Sequence, residues 1–239
     1  QQYVYDQDPD GDGAINPVSD WVLTEVRQGS PKLRPMEATG YDLSLERYGP
    51  ATSWSVALFR KEIRNFLYRA STITIRDGGL IDAGSQDGVP VRAYVDGRWA
   101  RINGVELGLR HVFDWTPPPR GKLGVSATFT WQVSRAAANI SWRPPGDVLP
   151  FTETPEVLAA VELFWQGGGW EAAAGWSHQS AFLEGMDDFG NDPYERGYSF
   201  VDLSLRRRFR QTGLASLQVR NALNSHTYWY TFGSGPDHL

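Results

Sequence analysis

Residues 122–134 read KLGVSATFTWQVS, a stretch in which apolar and polar side chains alternate almost without interruption. One face of it would carry Leu123, Val125, Ala127, Phe129, Trp131 and Val133, and the other face the small or polar residues between them. Because successive side chains of a strand point to opposite sides, this period of two predicts a β-strand with one apolar face. Its length exceeds the roughly five to six residues of a typical globular strand and suits a strand that crosses a membrane.

The same alternation recurs along the chain, most clearly in residues 53–58, 105–110, 201–206 and 214–219. In residues 155–165 it is weaker, because Leu158 and Phe164 interrupt the polar side. Together with their neighbours these segments predict about eight crossings, and one or two more are expected near Tyr3 and in residues 21–28.

The connections between these segments are of two kinds. Short ones, rich in Gly, Pro or polar residues, are expected at residues 48–52, 114–121, 167–169 and 210–213. Long ones are expected at residues 68–101, 135–153, 182–198 and after residue 221. Short and long connections alternate. In an up-and-down barrel this places every short turn at one end and every long loop at the other, as in outer-membrane barrels.

Aromatic residues flank both kinds of connection and predict two belts at the bilayer interfaces. Those beside the short turns are Tyr48, Trp54, Phe113, Trp165, Trp170 and Phe209, and those beside the long loops are Tyr41, Phe66, Tyr68 and Trp131.

Composition excludes several other classes of protein. The 239 residues include no cysteine and carry a net charge of −5, so no disulfide or thiolate metal site is expected and no nucleic-acid partner. No apolar run approaches the ~18 to 20 residues that a membrane helix needs. The four histidines show no metal-ligand spacing. The sequence contains no nucleophile–base motif and no phosphate-binding loop, so we expect neither an enzyme nor a cofactor.

Five segments follow one another in a recognisable order. They are KLRPMEATGYDLSLERYGPATSWSVALFRKEIRNFLYR at residues 32–69, INGVELGLRHVF at 102–113, LPFTETPEVLAAVELFW at 149–165, FVDLSLRRRF at 200–209 and VRNALNSHTYWY at 219–230. In this order they resemble the C-terminal part of the β-barrel of TonB-dependent outer-membrane receptors. The segment around Tyr41 is most similar to a group found in xanthomonads and caulobacters.

The resemblance implies an all-β, antiparallel, up-and-down transmembrane barrel of about 22 strands, of which residues 1–239 form one incomplete region. The family's plug domain lies outside this sequence. The resemblance also implies the Gram-negative outer membrane and the uptake of a scarce, bulky nutrient such as a siderophore or an oligosaccharide, with energy from the inner membrane. The implied partners are outer-membrane lipid, the protein's own plug domain, the TonB complex and the small-molecule or oligosaccharide ligand. The alternatives are a passive channel or small complete barrel, and a soluble all-β carbohydrate-binding protein.

Three groups of residues are candidates for function. Ligand contact is expected from aromatic and acidic residues of the long loops, namely Trp99, Trp142, Phe182, Asp187, Asp188, Phe189, Asp192 and Tyr194. Charged residues at alternate positions are expected to face the lumen, namely Glu106, Arg110, Glu162, Glu171, Asp202, Arg206 and Arg208. The stretch with Asp6, Asp8, Asp10 and Asp12 resembles the start of a calcium loop, but Pro17 stands where the closing Glu belongs. A solvated acidic loop is the favoured interpretation there, and no metal is expected.

The breakers Gly233, Gly235 and Pro236 predict that the native chain continues past Leu239 with about ten alternating residues that end in an aromatic side chain. A barrel in lipid cannot end on an unpaired edge. Residues 1–239 refolded alone into detergent or lipid should therefore show no heat-modifiable gel migration and no protease protection. A closed, heat-resistant barrel from these residues would instead support the small-barrel alternative.

Overall fold

The computed structural model describes residues 2–73, 90–113, 121–138, 146–186, 192–209 and 213–231, and these form strands almost throughout. The strands are β1 Gln2–Asp6, β2 Val22–Gln28, β3 Glu37–Tyr48, β4 Thr52–Arg64, β5 Leu67–Ile73, β6 Pro90–Asp96, β7 Trp99–Phe113, β8 Lys122–Ala137, β9 Val157–Gly167, β10 Trp170–Gln179, β11 Phe182–Leu183, β12 Pro193–Glu195, β13 Tyr198–Phe209, β14 Gly213–Val219 and β15 Trp229–Thr231. A short 3-10 helix spans Val18–Asp20. None of the described helical residues belongs to a helix long and apolar enough to span a membrane.

Eight of these strands form one antiparallel sheet in the order β14-β13-β10-β9-β8-β7-β4-β3. Each strand pairs with the barrel-forming strand next to it along the chain, which confirms the predicted up-and-down connectivity and the eight predicted crossings. The turn between β9 and β10 uses Gly168 and Gly169 at positive φ, a conformation that costs glycine little. The two short connections at 114–120 and 210–212 lie outside the described residues.

The register of the sheet sorts its side chains into the two predicted faces. One cross-strand row runs Leu45, Val56, Leu107, Phe129, Ala159. A row on the opposite face runs Ser53, Arg110, Ser126, Glu162, Gly175, Asp202. Leu163 on the apolar face is 51% exposed and Leu217 is 63% exposed. A contiguous apolar surface left this open marks contact with lipid or with another protein.

Glycine explains why large rings interrupt the polar face. Phe59 is the register partner of Gly104, and Phe164 is the register partner of Gly124. A Cβ at either glycine would overlap the partner's ring. Each ring thus lies flat over a backbone without a side chain, so Phe164 fits a position where the alternation predicts a polar residue.

A separate four-stranded sheet, β1-β2-β6-β5, contains both segments that were expected to be extra crossings. That prediction was wrong, because β1 pairs with β2 and β2 pairs in parallel with β6 instead of joining the large sheet. The connection 68–101 is therefore more than a loop. Strands β5 and β6 form a hairpin on the long-loop side of β4 and β7, and residues 74–89 of it lie outside the described part.

The buried core of the described residues lies at the long-loop end rather than in the middle of the sheet. It consists of Phe66, Tyr68, Ala100 and Ala136, with Phe151 packed against it. The rings of Phe66 and Phe151 meet edge to face at 5.3 Å between centroids. Phe66 and Tyr68 are thus buried against the long-loop ends of β7 and β8 and do not lie in the interfacial belt that the sequence predicts for them.

The predicted belts hold better elsewhere. Trp54, Phe113, Trp165, Trp170 and Phe209 lie on the apolar face at the short-turn end, and Tyr41 and Trp131 lie on it nearer the long loops. Tyr48 is an exception. Its register partner is Ser53, so it lies on the polar face, where its hydroxyl donates to Glu46.

Substitution of Ala127 tests the assignment of the two faces. Ala127 lies in an apolar row between Leu109 and Val161, and Thr128 lies on the opposite face between Gly108 and Ala160. Arg at a lipid-facing midplane position costs about 2 to 4 kcal/mol. Ala127→Arg should lower the free energy of unfolding of the full-length protein in lipid vesicles by about that much, and Thr128→Arg should have little effect. Equal losses at both positions would contradict the assignment.

Candidate functional site

The seven charged residues predicted to face the lumen all lie on the polar face of the large sheet. Arg110, Glu162 and Asp202 share one row across the middle strands. Near the short turns, Glu171 is the register partner of Arg206, and Arg208 Nη2 lies 3.8 Å from Glu171 Oε1. Opposite charges therefore alternate across this face instead of accumulating with one sign.

Small side chains make the middle of the polar face recede. Gly175 lies between Glu162 and Asp202 in the same row, and a Cβ added to it would meet only the carbonyl oxygen of Asp202, at 4.0 Å. A hollow of about 340 Å³ opens there, lined by Ser126, Thr128, Ala160, Glu162, Gly175, Ser177 and Asp202 among others. The strands that carry these two carboxylates, β9 and β13, are roughly 9 to 10 Å apart. Gly175 of β10 lies between them and has no side chain to fill the gap.

A second hollow of about 350 Å³ lies toward the short turns, with Glu162, Gln166, Glu171, Ser204 and Arg206 in its wall. Arg110 lies over the ring of Phe164 at 5.5 Å from the centroid, a cation–π contact that holds its guanidinium against the wall. Asp202 also has a structural task, because its Oδ1 accepts the backbone N–H of Asn221 at 2.8 Å, where Asn221 turns at positive φ. Charged and hydrogen-bonding groups thus border two open depressions on one face.

The predicted ligand-contact residues are distributed differently. Phe182 begins β11 and is half buried. Asp192 and Tyr194 are only 3% and 4% exposed, so in this structure they hold their loop together and offer little surface to a solute. Trp99 lies on the apolar face at the long-loop end of β7, where the Arg101 guanidinium is 5.9 Å from the centroid of its ring. Trp142, Asp187, Asp188 and Phe189 lie outside the described residues.

A three-stranded sheet, β11-β12-β15, is the reason for this burial. Tyr194 pairs with Tyr230 and their rings stack at 5.6 Å. Burial raises the pKa of the Tyr230 hydroxyl, while the nearby charge of Arg196 opposes the shift. Leu183, fully buried, accepts the Glu153 N–H through its carbonyl at 2.8 Å. The sheet thereby joins β11 and β12 to the distant strand β15, and the Leu183 carbonyl links it to Glu153.

Sequence reasoning missed a further depression beside the four-stranded sheet. It measures about 410 Å³ and is lined by residues that include Gln28, Lys32, Leu33, Tyr94 and Asp96. The segment that closes it is fixed to β6, since Arg34 Nε lies 3.1 Å from Asp96 Oδ2 and Ser30 Oγ donates to the Tyr94 carbonyl. No local pattern could have shown it, because it depends on the parallel pairing of β2 with β6.

The acidic loop before the 3-10 helix brings carboxylates of Asp8, Asp10 and Asp12 within 4.8 Å of one another, without Asp6. The two carboxylate oxygens of Asp8 accept the backbone N–H groups of Asp12 at 3.1 Å and Gly13 at 2.9 Å. Partial desolvation would raise the pKa of Asp8, but hydrogen bonds from Asp10 and the loop backbone outweigh it and lower that pKa. The loop backbone thus satisfies both carboxylate oxygens of Asp8, and the solvated acidic loop favoured from the sequence stays a prediction.

Comparison with known proteins decides the family. A model of the family described as "TonB dependent receptor-like, beta-barrel" matches residues 8–224. The chain belongs to the TonB-dependent receptors. No curated protein sequence matches it. Members of the family are outer-membrane proteins of Gram-negative bacteria that transport solutes and do not catalyse reactions.

Solved structures of low sequence identity share the fold of this TonB-dependent receptor. The copper transporter OprC superposes with a TM-score of 0.58 at 16% identity, over 81% of this chain and 27% of OprC. A mutant of the ferric enterobactin receptor PfeA from Pseudomonas aeruginosa gives 0.55 at 15% identity, over 79% and 26%. The FrpB iron transporter from Neisseria meningitidis gives 0.56 at 12% identity, over 87% and 30%. The chain thus spans about a quarter to three-tenths of these proteins.

Cysteine pairs can test the three-stranded loop sheet, because residues 1–239 contain no cysteine. Arg196 N–H donates to the Tyr228 carbonyl at 2.8 Å, so the next pair, Glu195 and Trp229, occupies a non-hydrogen-bonded site with Cα atoms about 4.5 Å apart. Glu195→Cys with Trp229→Cys should form a disulfide on mild oxidation, read by mass spectrometry of the digested full-length protein. The control, Glu195→Cys with Tyr230→Cys, places the thiols on opposite faces and should remain reduced. Equal cross-linking in both variants would rule out this register.

Proposed function

We propose that the full-length protein is an energy-dependent outer-membrane receptor and that residues 1–239 form part of its barrel wall. The observation that carries this proposal is the family match over residues 8–224, on a sheet whose faces separate into an apolar side and a charged, hydrogen-bonding side. The apolar side faces lipid, and the polar side faces the lumen. The short turns lie toward the periplasm and the long connections toward the outside.

The solute is a scarce, bulky nutrient of the siderophore or oligosaccharide kind. The lumen face suits a solute that is polar but has no large net charge, because acidic and basic residues on this face nearly cancel. The acidic residues are Glu106, Glu162, Glu171 and Asp202, and the basic residues are Arg110, Arg206 and Arg208. Serine, threonine and small residues line the two hollows between these charges. Such a wall offers many weak hydrogen bonds, which suit either passage of a solute or contact with the receptor's own plug domain.

Neither alternative agrees as well with the described strands. In a complete eight-stranded barrel β3 and β14 would pair with each other, whereas in the described part of the chain each has a neighbour on one side only. All residues of both strands are exposed. A soluble carbohydrate-binding protein would need a second layer to cover Leu107, Leu163 and Leu217, which are 42%, 51% and 63% exposed.

Uptake by cells that express the full-length receptor tests the proposal. Cells starved of iron, copper or carbon would be offered ferric siderophores, copper complexes and oligosaccharides in turn. We expect accumulation of one of these classes that depends on the receptor and disappears in cells without TonB. Accumulation that persists without TonB would indicate a passive channel instead.

The loop between β11 and β12 should contribute to solute binding. Replacing residues 187–191 by two glycines leaves Leu183 and Tyr194 in their sheet, and we expect binding of the transported solute to weaken about tenfold or more, as for the loss of a few contacts. The matched control removes residues 116–119 at the short-turn end and should leave affinity unchanged. Heat-modifiable gel migration reports barrel assembly in both variants. Unchanged affinity after shortening each long connection in turn would contradict a receptor role.

A further inference from the structure

Arginines concentrate at one edge of the apolar face. Outward positions of three adjacent strands at the long-loop end hold Arg60 and Arg64 on β4, Arg101 on β7 and Arg135 on β8, and we call these four residues the arginine patch. All four side chains are exposed. At the opposite end, the apolar face of the described strands has single arginines, Arg47 on β3 and Arg207 on β13.

The patch borders the apolar surface directly. Arg135 follows Trp131 and Val133 on the same face of β8, and alternate residues of a strand are only about 7 Å apart. Arginine can lay its aliphatic stem along such a surface and extend its guanidinium beyond it. The patch is therefore at the height where the hydrocarbon of a membrane gives way to headgroups.

Within the described strands, the carboxylates on this face do not balance the charges of the patch. Glu62, Arg101 and Arg135 follow one another in a single cross-strand row, so two arginines stand directly opposite each other. Like charges in that arrangement destabilise a sheet. Glu62 forms an ion pair with Arg60, and its Oε1 lies 3.5 Å from Arg101 Nε. Its single negative charge is therefore shared between two arginines.

Among the residues that the structure describes, one other carboxylate on this face is close. Glu37 is the register partner of Arg64. Within the described part of the chain, no hydrogen bond or ion pair is found for the Arg135 side chain. Four guanidinium groups thus face two carboxylates, and the excess lies at Arg101 and Arg135.

We propose that the arginine patch binds the phosphate groups of membrane lipid headgroups. The guanidinium group matches a phosphate with two parallel hydrogen bonds and is only weakly hydrated, so it gives up water readily. A lipid whose acyl chains lie along Leu107, Phe129 and Trp131 would bring its phosphate to the height of Arg101 and Arg135. The phosphate would remove the repulsion between these two residues. This inference rests on the membrane placement proposed above, but not on the identity of the transported solute.

Binding of lipid A to the purified full-length receptor in detergent tests the proposal. The probes are lipid A with two phosphates and the same lipid with its phosphates removed. We expect R101Q/R135Q to bind the phosphorylated lipid at least about tenfold more weakly than the unsubstituted receptor, as the loss of charge-assisted hydrogen bonds implies. The dephosphorylated lipid should bind the unsubstituted receptor as weakly. The matched control, R47Q/R207Q, removes the same charge from the same face at the other end and should bind like the unsubstituted receptor.

Several outcomes would overturn the proposal. One is equal binding of the two lipids, and another is equal loss in both double variants. Displacement of the lipid by inorganic phosphate at similar concentration would show a general anion site instead. If R101Q/R135Q does not insert, as judged by heat-modifiable migration, lipid binding by the Glu62→Gln variant tests the proposal instead. This variant releases Arg60 and Arg101 and should tighten lipid binding, so unchanged or weaker binding refutes the patch. Solute uptake is measured separately, so failure of the proposed transport leaves the lipid result intact.

Discussion

Inside a bilayer each backbone N–H and C=O must find its partner within the protein, and the large sheet is built on that requirement. Its ladders run without a register shift from end to end. The pairing of β7 with β8 continues unbroken from Trp99 with Ala137 to Phe113 with Leu123. Outside this sheet the requirement relaxes, and the pairing of β1 with β2 shifts between Val4 and Tyr5.

An unshifted register makes the faces of the sheet predictable from local sequence. With a side-chain period of two, one correctly placed strand fixes the orientation of every residue on it, and no bulge reverses the pattern further along. This is why the alternation around Ser126 and the single charges at Glu162 and Asp202 were enough to place all seven charged candidates on one face. Leu158 and Phe164 weakened the pattern, and for Phe164 the cause is a glycine on the neighbouring strand, which no property of β9 itself reveals.

The loops could not be predicted in the same way, because each depends on a pairing between distant segments. In the sequence Tyr194 resembles an exposed aromatic residue of a binding loop. In the structure the ring of Tyr230, on β15, stacks on it. Phe66 and Tyr68 resemble belt residues in the sequence, but in the structure Phe151 of another connection packs against their cluster. Strand β2 has the composition of a crossing, yet its partner is β6, with which it runs parallel. Short strands carry too little pattern to choose between such partners, so burial there is decided by tertiary contacts.

The two parts of the molecule therefore differ in how their stability is divided. The wall is one cooperative ladder in which each strand supports its neighbours, and local opening within it would expose paired backbone groups to lipid. The long-loop end consists of smaller units, the cluster around Phe66 and the three-stranded sheet. The cluster packs on Ala100 and Ala136 of the wall, and the Phe151 N–H donates to Ser134 Oγ at 3.0 Å. Charge is divided along the same boundary. On the lumen face Glu171 is the register partner of Arg206 and lies 3.8 Å from Arg208, whereas the described strands have an excess of arginine where the apolar surface ends. A membrane protein can place unbalanced guanidinium groups at that height because the lipid itself supplies the anion, so the surrounding membrane completes a structure that the chain alone leaves electrostatically open.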